Sequence, residues 1–223
     1  MWRRAVLLVS CILLAGCSKT NAGLSPSVIK NLPPSLVYFA SEGCQAPCWQ
    51  GIAPGTTDRA SAKKSVYEFI HSSASWNDGI FFNGYNEVGY SVELFFSGEK
   101  VRLTRILPSE NKPRLGEVID LLGRPERVCL NYFQVPDSVP TYRTDIVYLK
   151  RGIWLSSDAE FTMVDNHGHL SRSLDFNQIT FFNPREKFNS LGGDRTDKIM
   201  QCAQKWKGFT RYEYQSIFFD SSE

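Results

Sequence analysis

The sequence lacks several features that would assign it to a broad functional class. Its longest apolar run falls short of the roughly 20 residues that a membrane-spanning helix requires. Its 25 Lys and Arg stand against 23 Asp and Glu, without the basic excess of nucleic-acid-binding domains. Gly-x-Ser-x-Gly and His-Glu-x-x-His motifs are absent, and Gly192-Gly193-Asp194 is too short for a phosphate-binding loop. These absences argue against nucleic-acid binding, nucleotide chemistry and the common hydrolases.

The N-terminus has the features of an export signal. Arg3 and Arg4 precede an apolar run from Ala5 to Ala15 that ends in small residues. A basic start, a short apolar stretch and a small-residue end are typical of a secretory signal peptide. The alternative, a buried core helix, would have neither a polar face nor an N-cap. We therefore predict that residues 1–16 form a signal peptide.

The end of this run, Leu14-Ala15-Gly16-Cys17, resembles the lipobox of bacterial lipoproteins. The resemblance implies cleavage after Gly16, a thioether-linked diacylglycerol on Cys17 and an acyl group such as palmitate on the new amino terminus. Two or more acyl chains anchor a protein stably, whereas one does so only marginally. The resemblance therefore implies a domain held outside the cytoplasm by lipid, on the cell membrane or outer membrane. Ser18 resembles an outer-membrane sorting signal.

The predicted mature chain is a neutral domain on a tether. Removing residues 1–16, which hold two arginines and no acids, leaves 23 basic and 23 acidic side chains. Lipid rather than charge would then hold the protein on a membrane. Residues 17–36 are rich in Ser, Pro, Asn and Lys without a period, which predicts a tether. A packed strand at 36–39 is the alternative, and residues 37–223 suit one domain.

Four cysteines remain after the signal and the lipid site: Cys44, Cys48, Cys129 and Cys202. An even number in an exported protein indicates two disulfides, for which three connectivities exist. Cys44 and Cys48 lie in a turn-rich stretch where a local bridge can close, so we favour Cys44–Cys48 and Cys129–Cys202. A zinc site built from the same thiols is the alternative. A redox role is disfavoured, because three residues rather than two separate Cys44 from Cys48.

Hydrophobic spacing predicts a first helix followed by strands. Thr56 or Thr57 is expected to cap this helix, with Asp58 in its first turn. Its apolar face comprises Ala62, Val66, Phe69 and Ile70. Strands are expected at 80–82, at 88–96 and from residue 101 onward, with a hairpin turn at 97–100.

A second helix followed by strands is predicted in the next part of the chain. Pro113 is expected to open a second helix that ends at Gly123. Its apolar face comprises Leu115, Val118, Ile119 and Leu122. Strands are expected at 128–133, 145–149, 153–155 and 178–182, and a short helix at 196–206. The pattern predicts an α+β fold with helices packed on an antiparallel sheet, compatible with two tandem helix–β-meander units at 48–110 and 111–185.

Two short motifs carry a further resemblance. Pro54-Gly55-Thr56-Thr57 precedes the first helix, and Leu121-Leu122-Gly123-Arg124-Pro125 follows the second. They resemble the BamE/SmpA-type lipoproteins and the tandem repeats of the β-lactamase-inhibitor-like fold. Each half of this chain carries only one end of that pattern. The resemblance covers residues 48–150 and implies a fold rather than a function.

Few residues are candidates for chemistry. His167 and His169, beside Asp165, suit either a metal site or a turn, and the turn is favoured because a third ligand is not evident. The carboxylates Asp158, Glu160 and Asp175 are scattered, and the serines at 97, 156 and 157 look like turn residues. Four tryptophans suit a recognition surface or, preferably, the core: Trp49, Trp76, Trp154 and Trp206.

We therefore predict an exported lipoprotein, anchored to membrane lipid through Cys17, that acts as a non-enzymatic protein-interaction module in the cell envelope. Its partner would be another envelope protein, and we expect no catalytic residue, cofactor or metal. One alternative is a ligand- or metal-binding lipoprotein using His167 and His169. A second is a cell-envelope hydrolase with acids or His71 in a cleft.

Overall fold

The computed structural model describes residues 29–41, 43–68, 73–76, 79–83, 89–133, 141–158, 167–191 and 194–216. These ranges contain the α-helices α1 (Arg59–Tyr67), α2 (Leu115–Leu122) and α3 (Asp194–Cys202). The strands are β1 (Ala40–Ser41), β2 (Cys44–Gln45), β3 (Ser73–Trp76), β4 (Gly79–Asn83), β5 (Tyr90–Ser97), β6 (Lys100–Pro108), β7 (Arg127–Phe133), β8 (Thr141–Tyr148), β9 (Ile153–Ser157), β10 (His167–His169), β11 (Gln178–Phe182), β12 (Gln204–Lys205) and β13 (Arg211–Ser216). Within these ranges, no helix has both the length and the apolar character needed to cross a bilayer.

One large sheet dominates the structure. Its strand order is β10-β13-β7-β8-β9-β11-β6-β5-β4-β3, and β12 also pairs with β7. All neighbours are antiparallel except β13 and β7, which are parallel, so the sheet is mixed rather than purely antiparallel. A separate two-stranded sheet joins β1 to β2. The α+β class is confirmed, with strands prevailing over helices.

The expectation of two tandem helix–β-meander units is wrong. β11, from the second half of the chain, lies between β6 of the first half and β9 of its own half. Ile179 is opposite Ile106 on one side and Leu155 on the other. The two halves therefore share one continuous sheet, because a late strand is inserted between the meander β3–β6 and the strands β7–β9.

The central strands are buried on both faces. Adjacent residues of a strand point to opposite faces, and Ile146 belongs to one hydrophobic cluster whereas Val147 belongs to another. The first face, on the side of Ile146, packs against α1, α2 and residues 36–52. The second face, on the side of Val147, packs against α3 and the 3₁₀ turn Phe188–Ser190. Every residue of β9 and β11 is buried.

The cap of α1 differs from the prediction. Asp58, rather than Thr56 or Thr57, is the N-cap, and its side chain accepts a hydrogen bond from Ser61 N at 2.8 Å. The Thr57 hydroxyl instead accepts from Ala53 N at 2.9 Å, inside the preceding turn. Ala62 and Val66 are buried as expected, while positions 69 and 70 lie outside the described residues.

The start of α2 also differs, whereas its end is confirmed. The helix begins at Leu115, after an extended Arg114, and Pro113 lies before it rather than in its first turn. Gly123 ends the helix with φ +80° and donates its N–H to Ile119 O at 2.8 Å. Leu115, Val118 and Leu122 are buried against the first face.

The C-terminal region contains less helix than predicted. α3 ends at Cys202, and the chain then forms β12 instead of continuing to residue 206. The hairpin turn between β5 and β6 is confirmed, with Ser97 opposite Lys100. β7, β8, β9 and β11 coincide with the predicted strands, although β8 and β9 are longer.

The domain begins earlier than residue 37. Leu36 closes a 3₁₀ turn and is 5% exposed, so a strand at 36–39 is not formed and the last predicted tether residue is part of the core. The Ser35 hydroxyl donates to Glu117 of α2 at 3.0 Å. Residues 1–28, which include Cys17, lie outside the described residues.

Candidate functional site

The cysteines pair as the favoured connectivity predicts. Cys44 is bonded to Cys48, and Cys129 is bonded to Cys202. The first disulfide joins the start of β2 to the turn that follows this strand, and the second fastens α3 to β7 over the second face. All four thiols are thereby used, so the alternative of a zinc site built from them is not realised.

The second face also carries a buried polar cluster that the sequence analysis missed. Strand register places Asp145 opposite Cys129 of β7 and Ser156 of β9, and Ser156 opposite Gln178 of β11. Asp145 is completely buried. One carboxylate oxygen accepts from Trp154 Nε1 at 2.7 Å and Ser156 Oγ at 2.6 Å. The other accepts from Asn131 Nδ2 at 2.9 Å.

Arg143 connects this cluster to the surface. Its Nε lies 3.3 Å from Asp145 Oδ1, and the same guanidinium reaches Gln178 Oε1 and Asp158 Oδ1, both at 3.2 Å. Asp158 is 39% exposed in its side chain. A catalytic carboxylate must reach its substrate, whereas Asp145 is surrounded by donors and shielded from solvent. The cluster therefore positions strands and does not present a reactive group.

Two of the three predicted carboxylates meet in one groove. Asp158 and Asp175 line a groove of about 380 Å³ together with Ser157 and Lys112. Each acid already has a partner: Asp158 pairs with Arg143 and accepts from Asn177, and Asp175 pairs with Arg114 at 3.4 Å, while Glu160 lies outside the described residues. Ser156 and Ser157 are buried strand residues rather than turn residues, and Ser97 ends β5. Among the described residues, the Ser-x-x-Lys spacing occurs at Ser61 and Lys64, at Ser97 and Lys100, and at Ser109 and Lys112. The Ser61 hydroxyl donates to Asp58 in the cap of α1, and the Ser109 hydroxyl donates to Gly89 O. Both acids of this groove are thus engaged by arginine side chains.

The two histidines lie in a strand. Residues 167–169 form β10 and pair with β13, so the turn predicted at this point is wrong from His167 onward. Gly168 packs beneath Tyr214, where a Cβ would approach the ring to 2.6 Å. His169 is exposed, and its Nδ1 lies 3.1 Å from Leu170 O. Across the described ranges, no three His, Cys, Asp or Glu side chains are close enough to share a metal ion, and His71 falls outside those ranges.

The tryptophans divide between core and surface. Trp49 and Trp154 are each 3% exposed, as the preferred interpretation predicted. Trp206 is only partly buried and packs edge-to-face on Phe209, with ring centroids 5.5 Å apart. The side chain of Trp76 is outside the described set. Among the three tryptophans whose side chains the structure describes, Trp206 is thus the one that can meet a ligand.

Trp206 and Phe209 line a groove of about 430 Å³, which we call the aromatic groove. The other lining residues are Ile119, Arg124, Arg172, Lys207 and Gly208. The groove lies where the end of α2, the loop before β11 and the segment between β12 and β13 meet. Its volume is within the range of small-ligand and anchor-residue pockets.

Local bonds hold the 206–209 segment in place. Gly208 has φ +98°, a conformation that favours glycine, and it lets the chain turn back toward β13. The buried Tyr212 hydroxyl accepts from Lys207 N at 2.7 Å and donates to Gly208 O at 3.1 Å. Burial raises the pKa of Tyr212, so this hydroxyl keeps the proton that it donates at neutral pH. Trp206 and Phe209 are therefore displayed on a fixed turn.

The groove is cationic. Arg172 pairs with Asp120 and lies over the Phe209 ring, 5.4 Å from its centroid. Arg124 and Lys207 are exposed, and within the described part of the chain neither forms an ion pair. No carboxylate belongs to the lining. The arrangement can bind an apolar group on the aromatic wall and an anion at the rim.

Comparison with known proteins adds no relative: no protein-family model, curated protein or solved structure matches this chain. The assignment of function therefore depends on the residues themselves.

Proposed function

We propose that the chain is an exported lipoprotein, anchored by lipid on Cys17, whose domain is a non-enzymatic protein-interaction module of the cell envelope. The lipobox-like Leu14-Ala15-Gly16-Cys17 supports the anchor. The two disulfides are consistent with folding in an oxidising compartment. The short resemblance to BamE/SmpA-type lipoproteins is in keeping with this class.

The observation that carries the interaction role is the aromatic groove. Trp206 and Phe209 remain partly exposed, while Trp49 and Trp154 are taken into the core. Protein interfaces typically have aromatic anchors at the centre and charged residues at the rim. The groove has this anatomy, with Arg124 and Lys207 flanking the rings. The carboxylate of Asp145, the one acidic residue that is buried among those the structure describes, is saturated by donors, which favours binding over catalysis.

Labelling with an alkyne analogue of palmitate tests the anchor. The wild-type chain should incorporate the label at Cys17 and mature, whereas Cys17→Ser should remain an unlabelled precursor. Cys11→Ser is the matched control, because Cys11 lies in the predicted signal and should not affect labelling. Normal labelling of the Cys17→Ser chain would contradict the proposal.

Photo-crosslinking in intact cells tests the interaction role. A benzoylphenylalanine at position 209 keeps an aromatic ring in the groove and should give a discrete adduct with an envelope protein. The same residue at position 67 is the control, since Tyr67 is 51% exposed on α1 and does not line the groove. Equal adducts from both positions, or none from position 209, would count against the role of the groove.

A further inference from the structure

We infer that the aromatic groove and the groove beside it bind an extended acidic segment of a partner protein that also carries an apolar side chain. The inference rests on the proposed interaction role and adds the chemistry of the partner to it.

The charge of the aromatic groove favours an acidic partner. Its lining contains three cations and no carboxylate. Asp120 balances Arg172, while Arg124 and Lys207 are exposed; the Lys207 ammonium lies over the Tyr212 ring, 5.9 Å from its centroid, a contact that leaves its charge unneutralised. Unlike charges across an interface guide association and select the partner. An acidic partner fits this rim, and a basic one does not.

A second groove continues the aromatic groove. A polar groove of about 340 Å³ is lined by Gln204, Lys207, Arg211 and Glu213. It shares Lys207 with the aromatic groove, so the two are adjacent. An extended chain directs successive side chains to opposite sides as it advances about 3.3 Å per residue. Such a segment can place an apolar side chain against Trp206 and acidic side chains along Lys207 and Arg211.

The aromatic groove also has an apolar wall. The Trp206 indole, the Phe209 ring and Ile119 form a surface that is partly exposed in this chain. Aromatic side chains supply large contact areas at low entropic cost and are enriched among interface residues whose truncation weakens binding. A purely acidic ligand would leave this wall uncovered, which is why the segment must also carry an apolar side chain.

A membrane surface is a poorer occupant. Recognition of anionic lipids typically uses clusters of 4 to 8 Lys and Arg. The aromatic groove offers Arg124 and Lys207 beside an arginine that is already paired, and Glu213 lies in the adjoining groove. The observations therefore favour a protein segment, and lipid binding is treated as an outcome of the test.

The test uses the purified full chain and a fluorescein-labelled peptide of alternating Asp and Leu or Phe residues. One control peptide has Asn in place of Asp, and a second has Ser in place of the apolar residues. We expect saturable binding of the first peptide by fluorescence anisotropy. Both controls should bind about tenfold more weakly or worse, a factor that corresponds to about 1.4 kcal/mol. Equal affinity for the Asn peptide would overturn the inference.

Charge reversal locates the site. Arg124→Glu and Lys207→Glu should each weaken the acidic peptide about tenfold, which is within the coupling measured for close interfacial charges. Lys63→Glu is the matched control, because Lys63 is exposed on α1 and lines neither groove. Among the described residues, the Arg124 side chain forms no ion pair, so its reversal tests charge without removing an ion pair of the fold. Unchanged affinity in both reversed variants would overturn the inference.

Vesicles distinguish a lipid surface from a protein segment. The Cys17→Ser chain, which carries no acyl group at that position, is sedimented with phosphatidylglycerol or phosphatidylcholine vesicles. We expect no retention that depends on Arg124 and Lys207. Retention by phosphatidylglycerol that both reversals abolish, together with no peptide binding, would overturn the inference in favour of a lipid site.

Failure of the anchor and failure of the inference give different results. A chain with no label on Cys17 that still binds the acidic peptide would refute the anchor and leave the partner chemistry standing. A labelled chain with no charge-dependent peptide binding would refute the partner chemistry alone.

Discussion

At the scale of single residues, Asp145 illustrates how a charge is accommodated inside this sheet. A buried carboxylate is costly unless it is paired and hydrogen-bonded. Trp154, Ser156, Asn131 and Arg143 all donate to it. These partners come from three strands, so the carboxylate depends on correct register in β7, β8 and β9, and the strands in turn are held in register by it.

Replacing Asp145 should be far more damaging than replacing its surface counterpart. Asp145→Asn removes the buried charge that Arg143 faces and replaces one carboxylate oxygen by an N–H donor among groups that already donate to it, and should lower the free energy of unfolding by about 3 to 5 kcal/mol. Asp158→Asn, at the exposed end of the same arginine, should cost about 1 kcal/mol or less. Urea denaturation at pH 7 with the disulfides intact measures both. Similar losses of unfolding free energy in the two variants would show that the buried cluster around Asp145 does not hold β7, β8 and β9 in register.

Tyr90 should make stability depend on pH in the alkaline range. It is 5% exposed, and burial, with a smaller contribution from Tyr38, raises its pKa to about 12. The pKa of this phenol is higher in the folded chain than its ordinary value of 10.0. Its protonation therefore contributes fully to stability below pH 10, and this contribution is lost as the pH rises from 10 toward 12.

The difference in unfolding free energy between Tyr90→Phe and the wild type should therefore be constant up to about pH 10. At pH 11 the Tyr90→Phe variant should have gained about 1 kcal/mol in unfolding free energy relative to the wild type. Chemical denaturation at pH 8, 10 and 11 measures it, with Tyr67→Phe, which alters an exposed side chain, as the control. A difference that does not change with pH would contradict the assignment to Tyr90.

At the scale of elements, the turns between strands carry strict backbone requirements. Gly152, between β8 and β9, has φ +64°, and Gly98, between β5 and β6, has φ +58°. The space available for a side chain differs between the two glycines. Nothing lies within 4 Å of a Cβ added at Gly98, whereas a Cβ added at Gly152 would overlap the Phe182 carbonyl oxygen. Phe182 donates its N–H to Gly152 O at 2.9 Å, so this turn is fastened to the end of β11.

These two glycines separate backbone strain from steric overlap. Gly98→Ala should cost about 1 kcal/mol, from the left-handed backbone alone. Gly152→Ala should cost about 3 kcal/mol or more, because the turn must also move away from β11. Thermal and urea unfolding of the two variants provide the comparison. Equal losses of unfolding free energy in the two variants would mean that the turn at Gly152 can move away from Phe182 with little loss of stability.

Element positions were largely predictable because they depend on local periodicity. The apolar faces of α1 and α2 follow the 3.6-residue repeat, and β5 follows the two-residue repeat. The helix caps were less predictable than the helices themselves. Thr57 and Asp58 are both good capping residues, and their roles are decided by the hydrogen bond from Ala53 N to Thr57, which involves the preceding turn.

At the scale of the whole molecule, periodicity shows which face of a strand is apolar but not which strand pairs with it. That is why the insertion of β11 beside β6 was missed. The polar cluster was missed for a related reason. Arg143, Thr144 and Asp145 form a polar run in β8 that carries no sign of burial in the sequence, yet all three are buried because both faces of this strand are covered. The aromatic groove collects residues from three distant segments, so no local pattern signals it.

The two disulfides should contribute unequally to stability. In the chain-entropy model, a bridge stabilises more when it closes a longer loop. Cys129 and Cys202 are separated by 73 positions and Cys44 and Cys48 by 4. Replacing the first pair by alanines should lower the free energy of unfolding by about 4 kcal/mol, and the second by about 2 kcal/mol. Urea denaturation of the two double variants tests this order, and a larger loss from the short loop would reverse it.

The insertion of β11 has a consequence for the order in which the chain can fold. Synthesis supplies β3 to β6 first, and the strand that completes the outer side of β6 follows about 70 residues later. Until Gln178–Phe182 is available, β6 and β9 both present unpaired backbone groups, a known route to edge-to-edge association. Pairing over such sequence distances is slow. A product that stops before residue 178 would therefore be left with two open sheet edges, and aggregation is its expected fate.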